Sequence, residues 1–132
     1  MPRLLDLAAL GPITVLQEAE GEPYSGKVAV SEVIHRRMVM KYRSDGTVEG
    51  TVLRPLQFSG WNATASNRLR TIRANDQDLI VRDCMKAWDE GATSSLVPAA
   101  LFYYSTDIPA PAWAAEMDFV NQIGKHRFYA PK

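Results

Sequence analysis

The sequence predicts an α+β domain, mainly helical, with a minor β component. Three observations carry that reading. Apolar residues recur at helical spacing in two long segments. A turn-rich stretch separates those segments, and an aromatic extended run with proline punctuation occupies the last third. Nothing alternates in the βαβ manner of a parallel sheet. At 132 residues and 14.7 kDa the chain is expected to be one domain, spanning residues 1–132. A chain of that size buries roughly two thirds of its unfolded surface, enough for a core without staples.

The opening MPRLLDLAAL combines one arginine with a short apolar run interrupted by Asp6. The run is too short to span a bilayer and no small-residue cleavage site follows, so it reads as a strand or helix turn packed on the core. Pro12 suits a first helical turn, and a helix is expected over about Pro12–Ala19, stopped by a left-handed Gly21 and by Pro23. Ser25 is the expected N-cap of a second helix carrying Ala29, Val30, Val33, Ile34 and Arg37, with Lys41 near its end. Residues 43–55 hold Ser44, Asp45, Gly46 and Gly50. Their Thr47–Val48 and Thr51–Val52 pairs favour a small hairpin or an irregular loop. Asn75 or Asp76 should cap a third helix whose inner stripe is Leu79, Ile80, Cys84, Ala87 and Trp88, closed by Gly91. From Ala99 an extended aromatic run, a proline turn and a final strand or coil at Phe128–Tyr129 complete the chain.

Hydrophobic residues make up 46% and charged ones 23%, the balance of an ordinary globular protein. Fifteen basic and fifteen acidic side chains cancel, so no basic excess draws in nucleic acid or an anionic membrane. The lone Cys84 cannot form an intrachain disulfide, which suits a reducing compartment during synthesis. It reads as a small core hydrophobe. His35 and His126 do not form a metal-ligand spacing, and His35 reads as a partly buried polar residue on its helix. No metal or organic cofactor is expected.

The sharpest chemical feature is the carboxylate cluster Glu18, Glu20 and Glu22 at a predicted helix end. Glu18 and Glu22 share a face if the helix continues. Like charge, the negative helix terminus and burial all disfavour ionisation there. A glutamate that keeps its proton near neutrality is what a general acid needs, yet solvated glutamates are common at helix ends. Spacing leaves both readings open. In QFSGWN (57–62), Gln57, Ser59 and Trp61 have the chemistry of a sugar groove, while Phe58 and Trp61 equally suit a core. Tyr103 and Tyr104 alternate on an extended run, so only one of them can face a cleft.

The order of four blocks goes further. EAEGEPYSGKVAVSEVIHRR (18–37), QFSGW (57–61), APAWA (110–114) and IGKHRFY (123–129) resemble the successive motifs of the SleB-like cell-wall hydrolases, the spore-cortex-lytic enzyme type. The resemblance implies a lysozyme-like fold and a catalytic domain that cleaves the peptidoglycan glycan strand between N-acetylmuramic acid and N-acetylglucosamine. It implies a lytic transglycosylase with Glu18 as the single catalytic carboxyl. Glu22, Gln57, Ser59, Trp61 and one of Tyr103 and Tyr104 are then expected along the glycan groove. The same-class rival is a muramidase that activates water through Asp45 or Glu22. A rival of another class is a non-catalytic wall-binding or virion structural protein.

Two positions depart from the family pattern. His35 stands where asparagine is usual, and Glu20 stands where arginine is frequent, which should raise the pKa of Glu18. The chain reads as a bare catalytic domain without a signal peptide, hence as a phage-type endolysin. On that reading it is made in the host cytoplasm, passed to the wall by a separate holin, and acts as a monomer without stable membrane insertion.

Overall fold

The computed structural model describes residues 7–54, 58, 61 and 78–132. Helix α1 (Leu7–Ala19) leads into α2 (Tyr24–Met40), the short α3 (Val48–Val52) and α4 (Leu79–Gly91). Strand β1 (Phe102–Ser105), a 3₁₀ turn (Ala112–Glu116), β2 (Asp118–Ile123) and β3 (His126–Ala130) follow. The three strands form an antiparallel sheet in the order β1-β3-β2. The mainly helical α+β class is therefore as the sequence predicts, with its β part in the last third. Among the described residues no helix is long and apolar enough to cross a membrane.

Helix α2 is the central post. Every residue from Gly26 to Ile34 is buried, so this stretch has no solvent-facing stripe. On one side Val30, Val33 and Ile34 join Leu10, Ala19, Val52, Phe58, Val97, Ala100 and Phe128 in the main core. A second cluster of Ile13, Val15, Leu16, Val81 and Cys84 sits between α1 and α4, with Trp61 and Trp88 packed against both clusters. Each fully buried Leu, Val or Phe contributes roughly 1.5–3 kcal/mol. Cys84 is wholly buried there, as the small hydrophobe expected.

Several local expectations give way to packing. Helix α1 begins at Leu7, so Pro12 lies inside it rather than in its first turn. Burial of Leu10, Ile13, Val15 and Leu16 offsets the lost backbone bond. Gly11 lies so close to Trp88 that an added Cβ would sit 2.2 Å from the indole. Gly21 is not left-handed; the positive-φ glycines of the described residues are Gly46 and Gly124. The N-cap of α2 is Pro23, not Ser25, and no side chain caps it.

The segment expected as a hairpin or loop folds instead into α3. Thr47 caps it by accepting from the Gly50 N–H at 3.0 Å, while Asp45 accepts from the Thr47 N–H at 2.9 Å. Local capping outweighs the β-propensity of the Thr–Val pairs. The expected caps Asn75 and Asp76 lie outside the described residues; helix α4 is capped two or three positions later by Asp78, which accepts from the Ile80 and Val81 N–H groups. Its inner stripe consequently runs Val81, Cys84, Ala87 and Gly91, and Leu79 is 73% exposed. Gly91 is the last residue of this helix and serves close packing rather than a left-handed stop: a Cβ would meet Ser31 Oγ at 2.1 Å.

Candidate active site

Glu18 occupies the last turn of α1, and the helix stops one residue later. Lys27, buried on α2, donates from Nζ to the carbonyls of Glu20 and Glu22, which fixes the loop that follows. That loop carries Glu22 to the β2–β3 turn. Its carboxylate accepts from the Lys125 N–H at 3.0 and 3.2 Å, and Oε1 lies 3.4 Å from His126 Nδ1. Gly124, at φ +57°, lets the β2–β3 turn come this close: a Cβ would sit 2.3 Å from Glu22 Oε2. The two glutamates therefore do not share a helical face. Glu22 instead clamps the sheet to the α1–α2 loop.

Strand register decides the tyrosines. Tyr103 pairs with Phe128, and Ser105 with His126, which places all four on the inner face of the sheet. The Tyr103 hydroxyl donates to Glu18 Oε1 across 85 residues of sequence. Tyr104 lies on the opposite face, stacked on Tyr129 at 5.8 Å and edge-on to Trp113. Of the two, Tyr103 meets the glutamate and Tyr104 does not.

Beneath them lies Arg37, only 7% exposed. Its guanidinium donates to the Leu101 carbonyl at 2.9 and 2.6 Å and lies 5.4 to 5.8 Å from the Phe58, Phe102 and Tyr42 ring centres. Burial raises the pKa of Glu18 above 4.5; the Tyr103 hydroxyl and the Arg37 charge pull it down without cancelling the rise. Enclosure, rather than crowding by Glu20 and Glu22, is thus the main cause. Burial and the neighbouring Glu18 charge hold the Tyr103 phenol well above its ordinary range, so it remains a donor.

An open pocket of about 270 Å³ adjoins this arrangement, lined by Glu18, Ala19, Gly21, Glu22, Ser105, Asp107, Lys125 and His126. An enclosed acid on the wall of a pocket is an arrangement suited to proton donation. Asp45, the other carboxylate considered from sequence, sits in the cap of α3 and accepts from both Thr47 N–H and Thr47 Oγ1. Trp61 is half-buried against the core, and its indole N–H donates to Thr14 Oγ1 at 2.8 Å. Gln57 and Ser59 lie outside the described residues. His35 stacks on Trp88 and bonds its carbonyl at 2.9 Å, which is the polar packing role expected of it. Among the described residues no group of three or more His, Cys, Asp or Glu gathers as metal ligands.

Arg37 and His126 are site elements that sequence reasoning did not single out. The paired arginines after Ile34 were a usable signal, since an arginine on an otherwise apolar helix needs a buried partner. His126 had a weaker one, its alternation with Phe128 on a strand.

The cell wall hydrolase family model matches residues 21–129, beginning three residues after Glu18. A spore cortex-lytic enzyme of Oceanobacillus iheyensis is 34% identical over 115 residues, covering 86% of this chain and 38% of its own length. That of Bacillus subtilis strain 168 is 30% identical over 126 residues, covering 96% of this chain and 36% of its own. The chain thus spans about two fifths of the length of the curated relatives it matches. Among solved structures, the catalytic domain of the germination-specific lytic transglycosylase SleB from Bacillus anthracis superposes with a TM-score of 0.72 at 25% identity, covering 98% of this chain and 99% of that one. The Bacillus cereus SleB catalytic domain gives 0.72 at 26%, covering 98% and 94%. The helical body and the small sheet make up a lysozyme-like fold, and the chain belongs to the cell wall hydrolase family.

Proposed function

We propose that the chain is a lytic transglycosylase that cuts the peptidoglycan glycan strand between N-acetylmuramic acid and N-acetylglucosamine. The observation that carries this reading is the Glu18 carboxyl, enclosed beside Tyr103 on the wall of an open pocket and pushed up in pKa by burial. Protonated Glu18 gives its proton to the glycosidic oxygen as the C1–O bond breaks. The carboxylate left behind faces the positive charge that develops at the anomeric carbon. Attack by the muramyl 6-hydroxyl on C1 then closes a 1,6-anhydro ring, and that hydroxyl loses its proton to a base in the pocket, for which Glu18 carboxylate is the simplest candidate.

Hydrolysis needs a second carboxylate free to activate water. Of the described pocket carboxylates, Glu22 is tied to the Lys125 N–H, and Asp107 is 66% exposed and paired with Lys125 at 3.5 Å. This distribution supports the anhydro route. The Bacillus anthracis structure is that of a lytic transglycosylase, which supports the same reaction class here. Mass analysis of digested peptidoglycan tests it: anhydro ends, one water lighter than hydrolytic ends, are expected from the wild type. Hydrolytic ends alone would contradict the proposal.

A further inference from the structure

Gly21 lines the same pocket as Glu18, and no feature of the fold requires it to be glycine. Within a fold, glycine answers one of three needs: a left-handed backbone, a contact too close for a Cβ, or a chain that must move. Every other glycine among the described residues meets one of the first two. Gly46 and Gly124 sit at φ +95° and +57°. A Cβ at Gly11, Gly50 or Gly91 would lie no more than 2.2 Å from a neighbouring side chain, and one at Gly26 would lie 3.1 Å from Glu22 Cβ. Gly21 has no positive φ, and a Cβ there would meet no atom within 4 Å.

The need for movement is absent as well. The turn that holds Gly21 is closed by the Glu22 N–H, which donates to the Ala19 carbonyl at 3.0 Å. Lys27 Nζ donates to the Glu20 carbonyl at 3.2 Å and to the Glu22 carbonyl at 2.5 Å, so the chain is fastened on both sides of Gly21. Such a turn demands glycine at its third position only where φ is positive there, and Gly21 does not adopt that form. What remains is the use of glycine outside the fold itself: it lets a ligand come close to the main chain.

We propose that Gly21 is a specificity-determining residue of the glycan site: a sugar ring of the strand seats against its bare backbone, in the space a side chain would take. The inference rests on the glycan-cleavage reading and adds to it which part of the pocket wall the ring touches. A pyranose presents broad faces of C–H groups, which fit against a main chain that carries no Cβ. A branch at Gly21 would hold the ring off that wall and away from the acid three residues earlier. The contact is steric, and the proton chemistry stays with Glu18.

The test is steady-state kinetics on soluble glycan strands, together with thermal unfolding, for wild type, Gly21→Ala and Gly21→Val. KM should rise with side-chain size, about tenfold for alanine and about 100-fold for valine, the scale that surplus carbons cost in a fitted site. The alkaline limb of the pH profile should not move, and kcat should stay within about threefold, because Glu18 keeps its surroundings. The Tm of Gly21→Ala should equal or exceed that of wild type, since alanine restricts the unfolded chain at a backbone it can adopt. A KM within about twofold of wild type in both variants would overturn the proposal. So would a Tm lowered by more than about 5 °C in Gly21→Ala, which would show that the glycine serves the fold. If Gly21→Val alone unfolds, the alanine variant decides. The two readings separate cleanly. Strands left uncut by the wild type sink the glycan-cleavage reading, whereas cut strands with an unchanged KM in both variants sink the Gly21 assignment alone.

Discussion

Glu18 and Glu32 are both helical glutamates turned toward the protein interior, and their surroundings differ in one decisive respect. Glu32, 2% exposed, accepts from Ser94 Oγ at 2.7 Å and from the Leu96 and Val97 N–H groups at 2.7 and 3.1 Å, with Arg36 3.6 Å away. Glu18 has the Tyr103 hydroxyl and the more distant Arg37 charge, and it borders a pocket. A carboxylate surrounded by donors anchors a loop. One enclosed with few donors holds its proton and can release it to a substrate.

The sharpest way to break that contrast is to exchange the acids. Glu18→Gln is expected to fold and to lose about 10³-fold or more in peptidoglycan clearing, the scale of a lost general acid. A turbidity assay on purified cell walls checks it, and near-native clearing would remove Glu18 from its role. Glu32→Ala should act on stability instead. It strands the Leu96 and Val97 N–H groups, for a loss of roughly 3 kcal/mol in chemical denaturation. A loss below 1 kcal/mol would mean that the loop holds without its acceptor.

Tyr103→Phe sharpens the comparison by removing the hydrogen bond that lowers the Glu18 pKa. The alkaline limb of the pH–rate profile should move to higher pH, with kcat reduced about tenfold. A limb moving to lower pH would reverse the sign assigned to that bond. The smallest effect concerns stability. A carboxyl whose folded pKa lies above its unfolded value of about 4.5 binds its proton more tightly when folded, so stability falls as pH rises through that window. Glu18→Gln removes this penalty. Its Tm should exceed that of wild type at pH 7, and the gap should close on acidification to pH 4, as read by calorimetry.

The contrast also explains what was legible in the sequence. Glu18 stood out because helix ends and carboxylate clusters are local patterns, and the alternation of Tyr103 and Tyr104 showed that one of them would turn inward. Which one depended on the register of β1 with β3, a pairing across more than twenty residues that no local pattern encodes. Glu32 passed unremarked because the Gly26–Ile34 stretch of α2 is buried all round and offers no amphipathic stripe against which a buried acid would look anomalous. The short helix Val48–Val52, in a stretch expected as a hairpin or irregular loop, has a different origin: the Asp45–Thr47–Gly50 cap is a matter of side-chain geometry, and the β-branched composition hid it. Trp61 shows the limit of composition, since sugar-stacking and core roles require the same indole, and here its N–H is bonded to Thr14.

Everything chemical above depends on where the Glu18 proton resides before substrate arrives. Titration of the Glu18 side-chain carboxyl by carbon-13 NMR in the free protein measures this directly. The account predicts a midpoint above 4.5 that rises further in Tyr103→Phe. A midpoint at or below 4.5, unchanged by the loss of the tyrosine hydroxyl, would contradict it.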